Sequence, residues 1–310
     1  MKTITIKGAE LSVLSLGTVQ LGLNYGINNT AGKPCQETAN AILDCAVSHG
    51  IRVLDTAASY GDSECVIGSW LRTIPPEKRP FISTKAKNLD HSSLQSIRDD
   101  LQRTVARSKE RLGVEQLDLL MLHNCDEYLK DPDHVRQVFE ELKQAGDIRF
   151  SGTSAYSRHD YGVIAESGFD AVQIPLNIFD WIQIDNGGLK KLQDAGMMVF
   201  VRSVYLQGLV FQQPDELDPR MDFAYDTLCK FRALCAKYEM SPAVLALSFA
   251  LSVPGITSLV LGSEKVEQVE QNVALLDQVR LLSSEQMTEI HDNFVDTPEI
   301  VLSPFMWYNG

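Results

Sequence analysis

Eight short apolar runs, most of them followed by a stretch with helical spacing, constrain this chain more than any other feature. The runs lie at 14–17, 52–55, 81–84, 117–122, 148–150, 171–174, 198–201 and 257–261. Helical patterns occupy 63–71, 92–112, 133–145, 157–167, 186–195 and 242–252, and an earlier amphipathic stretch puts Ala39, Ile42, Leu43, Ala46 and Val47 on one face. Asp131-Pro132 and Ser241-Pro242 open two of these helices, and Ala145-Gly146 and Ala195-Gly196 close two. Strands that alternate with helices pair in parallel, because each helix carries the chain back to the same end of the sheet. Eight such units predict one (β/α)8 barrel domain over 1–310. The competing architecture is a doubly wound open sheet, and no G-x-G-x-x-G follows any run, which counts against its dinucleotide-binding form.

Three segments depart from the repeat. Residues 3–6 and 11–14 flank Lys7 to Glu10 and predict a β-hairpin that plugs or caps the main fold. Leu206 to Arg220 is too long for a simple connection and rich in Asp and Pro, as expected of a binding lid. The end of the chain, Ser303 to Tyr308, carries Phe305, Trp307 and Tyr308 without helical or strand period, and is expected to fold over a pocket near the active-site face.

Charge narrows the partners. With 28 Lys and Arg against 41 Asp and Glu, the net charge of -13 repels phosphate backbones and anionic membranes, so nucleic acid and membrane are not expected. The six cysteines show neither a C-x-x-C pair nor metal-ligand spacing, and no signal segment is visible, so a reduced, cytoplasmic protein is expected.

In a barrel the C-terminal ends of the strands converge on one face. Asp55, Lys85 and His123 each end or follow an apolar run there, and Tyr60 lies in the loop after Asp55. Singly, each has an ordinary structural explanation as a turn cap, a surface charge, an edge aromatic or a loop residue. Together they make a proton donor. A phenol is a poor acid near neutrality unless a cation stabilises its phenolate; Lys85 supplies the cation, Asp55 holds it, and His123 can polarise a carbonyl toward Tyr60. Such a site contains no nucleophile or metal of its own. Proton delivery to a carbonyl oxygen is half of a reduction, and the other half is a hydride. A metal-assisted barrel hydrolase would need clustered His, Asp or Glu at strand ends, and only Asp55 and His123 are so placed.

These residues carry a resemblance. From Leu14–Gly22 to the segment around Asn272 the chain resembles an aldo-keto reductase, most specifically in Gly50 to Gly61 with Ser63, Glu64 and Gly68, then in Lys85, His123 and Gly152 to Ser154. The resemblance implies Tyr60 as general acid, Asp55 and Lys85 tuning it, and His123 orienting a small-molecule carbonyl substrate. It also implies a nicotinamide cofactor: Ser154 and Gln173 at the carboxamide, with Gly17, Thr18 and Asp55 beside them; Arg202, Ser203, Leu206 and Gly208 along the ring and pyrophosphate; Gly262, Ser263, Lys265, Gln268, Gln271 and Asn272 at the adenosine end. A channel-associated, cofactor-sensing interaction protein of the same fold is the alternative that the resemblance allows.

The chain also leaves the family pattern. Ala155 stands where Asn is usual, and Arg202 where an aromatic often stacks on the nicotinamide; a guanidinium there can stack on a flat ring or reach an acidic substrate. Lys265 can pair with a 2′-phosphate, Glu264 opposes it, and Gln268 stands where Arg is common; the balance favours NADP(H) slightly over NAD(H). Tyr25, Trp181, Arg202, Trp307 and Tyr308 are the expected pocket walls, and likeness to bacterial members that occur with carbohydrate metabolism suggests a sugar-derived aldehyde or ketone.

Overall fold

The computed structural model describes residues 1–24 and 32–307. Thr3–Ile6 (β1) and Ala9–Ser12 (β2) form the antiparallel hairpin. The eight apolar runs become β3 (Leu14–Gly17), β4 (Val53–Asp55), β5 (Phe81–Ala86), β6 (Leu117–Leu122), β7 (Ile148–Ser154), β8 (Ala171–Pro175), β9 (Met198–Arg202) and β10 (Ser258–Gly262). Each pairs in parallel with the next, and β10 closes on β3, so the barrel predicted from the repeat is the fold observed.

Two strands run further than their apolar residues suggest. Lys85 pairs with Met121 inside the β5–β6 ladder, and β7 continues through Ser154, which pairs with Gln173. Polar side chains do not end these strands because the barrel mouth they face supplies polar partners.

The helices keep to the sequence signals where caps exist. Ser93 accepts from the Ser96 N–H before Leu94–Leu112, Asp131 from His134 before Pro132–Gln144, and Ser241 from Val244 before Pro242–Ser252. The helices expected over 157–167 and 186–195 shrink to Tyr161–Ala165 and Gly188–Asp194, because the residues before them form turns pinned by side-chain hydrogen bonds. The long segment after β9 holds three 3₁₀ turns, then the helix Tyr225–Tyr238. Among the described residues no single helix is long and apolar enough to cross a membrane.

Two buried layers hold the fold. One lies between strands and helices; the other fills the barrel with Val53, Phe81, Leu119, Met121, Phe150, Met198 and Phe200. Ala9 and Leu11 of the hairpin belong to the second layer, so the hairpin plugs the N-terminal end of the barrel. Arg149 Nη2 donates to the Gly8 carbonyl at 2.7 Å, and Lys7 pairs with Asp170 at 2.9 Å, which fixes the plug at its rim.

Candidate active site

At the opposite end, Asp55 and Lys85 are 4% and 1% exposed, and Lys85 Nζ lies 2.7 Å from Asp55 Oδ1. Lys85 Nζ also donates to the Thr56 carbonyl at 2.9 Å, and Gln173 Nε2 donates to the same Asp55 oxygen at 2.9 Å. The ammonium is thus fixed by two oxygens and the carboxylate by two donors, the satisfaction a buried pair requires. Gln173 has a second role that the sequence did not suggest, since its amide buttresses the acid.

Tyr60 closes over this pair. Lys85 Nζ is 5.3 Å from the centre of the phenol ring, and the His123 ring meets it edge-on at 5.7 Å. His123 is set by its backbone, whose N–H donates to the Ala86 carbonyl at 2.7 Å, and by Ser59, whose Oγ lies 3.1 Å from Nδ1. Burial first, and then the positive charges of Lys85, Lys87 and Arg202, push the imidazole down to about 4, so the ring is neutral at physiological pH. When Ser59 donates to Nδ1, the ring proton sits on Nε2, where it can be offered to a carbonyl oxygen.

Two glycines let the chain place Tyr60. Gly61 has φ +56, and a Cβ there would lie 2.3 Å from the Gly22 carbonyl; a Cβ on Gly22 would lie 1.8 Å from the Tyr60 carbonyl. The loop after β3 therefore packs backbone to backbone on the Tyr60 turn, which no larger residue permits. Thr18 ties the same loop to the acid: its N–H and Oγ1 both donate to the Asp55 carbonyl, at 3.0 and 2.9 Å.

The residues expected to hold a cofactor lie around the adjoining strand ends. Ser154, the last residue of β7, pairs with Gln173 in the middle of β8, and both are buried. Gly17 and Gly262 sit opposite each other in the β3–β10 register, and the Gln20 amide packs onto Gly262, where a Cβ would lie 2.5 Å from it. Gln20 Oε1 is buried without a partner among the described residues. After β9, Ser203, Leu206, Gln207 and Gly208 all have left-handed φ, at +64, +44, +53 and +96. Three of them are not glycine, a strain on the order of 1 kcal/mol each that marks a functional loop, and left-handed turns aim backbone N–H groups as anion sites do. An orphaned acceptor and a strained loop at the strand ends fit an extended dinucleotide.

The adenosine end is organised differently from expectation. The helix begins at Val266, and Gln268 Oε1 accepts from the Glu264 and Lys265 N–H groups at 2.7 and 3.3 Å. Gln268 thus occupies donors that an anion at the helix N-terminus would use. Lys265 and Gln271 are exposed, and Asn272 Nδ2 donates to the buried Ser263 Oγ at 3.5 Å.

The expected aromatic walls need correction. Trp181 is buried, donates from Nε1 to the Ile178 carbonyl at 3.0 Å, and packs on Phe249 and His291. Trp307 is likewise buried, with Nε1 donating to the Ile300 carbonyl at 2.7 Å. Both indoles are core residues whose only polar atom is satisfied by backbone, and neither lines the cavity beside the C-terminal segment. Tyr25 and Tyr308 lie outside the described residues.

A cavity of about 710 Å3 opens instead among the loops after β7, β8 and β9, roofed by Thr297 to Phe305 of the C-terminal segment. The expected coverage of a pocket by that segment holds, through Leu302, Pro304 and Phe305 rather than the tryptophan. Arg202 stands on the cavity wall, its Nη2 donating to the Ala155 carbonyl at 3.1 Å and its guanidinium 4.8 Å from the Tyr156 ring.

Comparison with known proteins bears on this geometry. The profile described as Aldo/keto reductase family matches residues 13–293. The chain belongs to the aldo/keto reductase family. Relatives include an NADH-specific methylglyoxal reductase of Escherichia coli, 28% identical over 86% of this chain and 90% of the relative. A D-threo-aldose 1-dehydrogenase of Pseudomonas sp. is 24% identical over 86% and 92%. The fold of an aldo-keto reductase of Bacillus halodurans in its holo form matches with a TM-score of 0.75 at 23% identity, covering 95% of this chain and 96% of that one. As an aldo/keto reductase the protein is an oxidoreductase acting on carbonyl or alcohol groups, and the family uses nicotinamide cofactors.

Sequence reasoning missed the residues that hold this reductase site in shape. Ser59 adjoins Tyr60 and could have been read from the motif. His159 could not: it is 6% exposed, its Nδ1 accepts the Tyr156 N–H at 3.0 Å and its Nε2 meets Asp126 at 3.0 Å. That contact joins two strand-end loops, and no local spacing signals it.

Proposed function

We propose that this protein interconverts an aldehyde or ketone and its alcohol with an NAD(P)(H) cofactor, using Tyr60 as general acid and base. The observation that carries the reading is the buried Lys85–Asp55 pair at 2.7 Å beneath the Tyr60 ring, with neutral His123 edge-on to that ring. A bound reduced nicotinamide supplies a hydride to the carbonyl carbon.

The chain supplies the proton and the orientation. His123 donates from Nε2 to the carbonyl oxygen and turns it toward the Tyr60 hydroxyl, which delivers its proton as negative charge develops there. The Lys85 ammonium stabilises the phenolate that remains, and Asp55, fixed by Gln173, keeps the ammonium in place. In the oxidative direction the same phenolate accepts the alcohol proton. Ser154 and Gln173 would hold the carboxamide, and Ser203, Leu206 and Gly208 the pyrophosphate.

With Gln268 engaged by backbone, discrimination for a 2′-phosphate rests on Lys265, opposed by Glu264, so a preference for NADPH over NADH of only a few-fold fits, while the NADH-specific relative points toward the other coenzyme. A sugar-derived carbonyl is the substrate class supported by the aldose-oxidising relative.

Turnover of simple aldehydes with either coenzyme, compared with Tyr60→Phe, tests the reading. Loss of about 10³-fold in kcat/KM with cofactor affinity retained is expected of a missing general acid. Equal rates in the two proteins would remove Tyr60 from the chemistry and favour the cofactor-sensing alternative.

A further inference from the structure

The cavity that Arg202 lines contains none of the four residues assigned to proton transfer. Its lining begins two residues beyond Ser154 and Gln173, at Tyr156 and Pro175, and its volume of about 710 Å3 is that of a small-molecule site. The wall is braced by its own hydrogen bonds. Gln183 Nε2 donates to the Ser157 and His159 carbonyls at 2.6 and 2.9 Å, and the Tyr156 N–H donates to His159 Nδ1 at 3.0 Å. The loop after β7 is thus held by the segment after β8.

On this wall Asp180 is short of donors. It is 6% exposed and has no cationic partner among the described residues; one oxygen accepts from the Ser157 hydroxyl and the other from the Ile182 N–H at 3.2 Å. An ionised carboxylate has about four acceptor positions, so two neutral donors leave it half satisfied. Burial accordingly holds its carboxyl above the ordinary value. Arg202 has the opposite surplus, since only the Ala155 carbonyl and the Ser203 hydroxyl accept from its guanidinium. Charge does not select the occupant. Arg158, Lys191 and Arg202 share the lining with Asp160, Asp180 and Glu299, so their fields largely cancel. Arg158 is already paired with Asp126, and Asp160 accepts the Gly162 N–H, which leaves Lys191 and Arg202 against Asp180 and Glu299.

We infer that this cavity binds a neutral polyhydroxylated chain, a sugar or a polyol, whose hydroxyls donate to Asp180 and accept from Arg202. A hydroxyl both donates and accepts, so one carbon chain answers the deficit of the acid and the surplus of the guanidinium together. Its C–H faces cover Ile182 and Phe305, large apolar side chains that line the cavity and are otherwise exposed. Two sources share that chemistry, the tail of the carbonyl substrate and a separate free sugar. The inference does not depend on the carbonyl-reducing reading, because binding needs no turnover.

Sorbitol, which has no carbonyl, is the probe, titrated by ligand-observed NMR into the protein with and without NADP+. Saturable binding is expected in both states, about tenfold or more tighter than that of 1,6-hexanediol, which keeps the chain length but not the inner hydroxyls. Gluconate and glucamine, the acid and the amine on the same skeleton, are expected to bind no better than sorbitol. Asp180→Asn is expected to weaken sorbitol about tenfold or more, the size of a hydrogen bond to a charged group. Phe305 is 66% exposed, so Phe305→Ala leaves the fold intact and is expected to weaken sorbitol about threefold. In aldehyde reduction, a KM raised by sorbitol supports occupancy by the substrate's tail, and an unmoved KM with binding retained supports a separate sugar. No saturable binding below about 100 mM overturns the inference, and so does wild-type affinity in both variants. Tenfold preference for gluconate or glucamine overturns it by showing a charged ligand, and loss of sorbitol when NADP+ is present overturns it by assigning the cavity to the cofactor. Each of these failures leaves the reductase reading, which Tyr60→Phe tests, where it stood.

Discussion

The two ends of this barrel are closed by opposite means. At the N-terminal end Ala9 and Leu11 of the hairpin complete a hydrocarbon layer with Phe81, Phe150 and Phe200, and charge is kept to the rim at Lys7–Asp170 and Arg149–Gly8. Toward the C-terminal end the strands carry Asp55, Lys85, Ser154 and Gln173, buried as deeply, with Asp55, Lys85 and Gln173 tied by hydrogen bonds. Hydrophobic burial is non-directional and tolerates some repacking, whereas a buried ion pair depends on each partner. The plugged end therefore holds the shape, and the open end spends its burial on holding a proton donor in one geometry.

Removing one member of the charged end should have the largest effect. Lys85→Met strands the Asp55 carboxylate, which costs on the order of 3–5 kcal/mol of stability and abolishes measurable reduction. Denaturant unfolding and turnover should fall together, and a variant stable but inactive would show that the ion pair serves chemistry alone. At the other end, Leu11→Ala should cost about 2–5 kcal/mol while kcat/KM of the folded protein stays within about twofold of wild type. A matching fall in kcat/KM would mean that the ends are mechanically coupled.

The last effect concerns pH. His123 is held at about 4 in the fold against an ordinary 6.5, so the unfolded chain binds that proton first. Its contribution is full above about pH 6.5 and is lost as pH falls toward 4, by up to about 1.4 kcal/mol per pH unit. His123→Gln should flatten that limb of the stability profile, measured by denaturation at successive pH values; an unchanged slope would assign it to other groups.

The contrast between the ends also explains what the sequence made legible. Strand ends such as Val53–Asp55 are readable because a short apolar run stops at a polar residue, and the tetrad is assembled from such stops. Lys85 lies inside β5, and β7 runs on to Ser154, because the partners that allow it, Asp55 and Gln173, come from other strands. Trp181 and Trp307 look like pocket walls in sequence, since an indole shows its polar atom but not the backbone carbonyl that will satisfy it. The helix Tyr225–Tyr238 escaped notice behind the Pro-rich turns before it, and Gln268 reads as a ligand until its distance to the Glu264 N–H is known.

The seam between β3 and β10 carries a consequence for how the chain reaches this state. Leu14 pairs with Leu259 and Gly17 with Gly262, so the first barrel strand waits for the last before it has both neighbours. The hairpin just before it waits longer, since Ala9 and Leu11 are covered only when strands from β4 to β9 enclose them. Closure so distant along the chain slows folding, and a nascent chain lacking its last strand presents an unpaired parallel edge with an uncovered apolar plug.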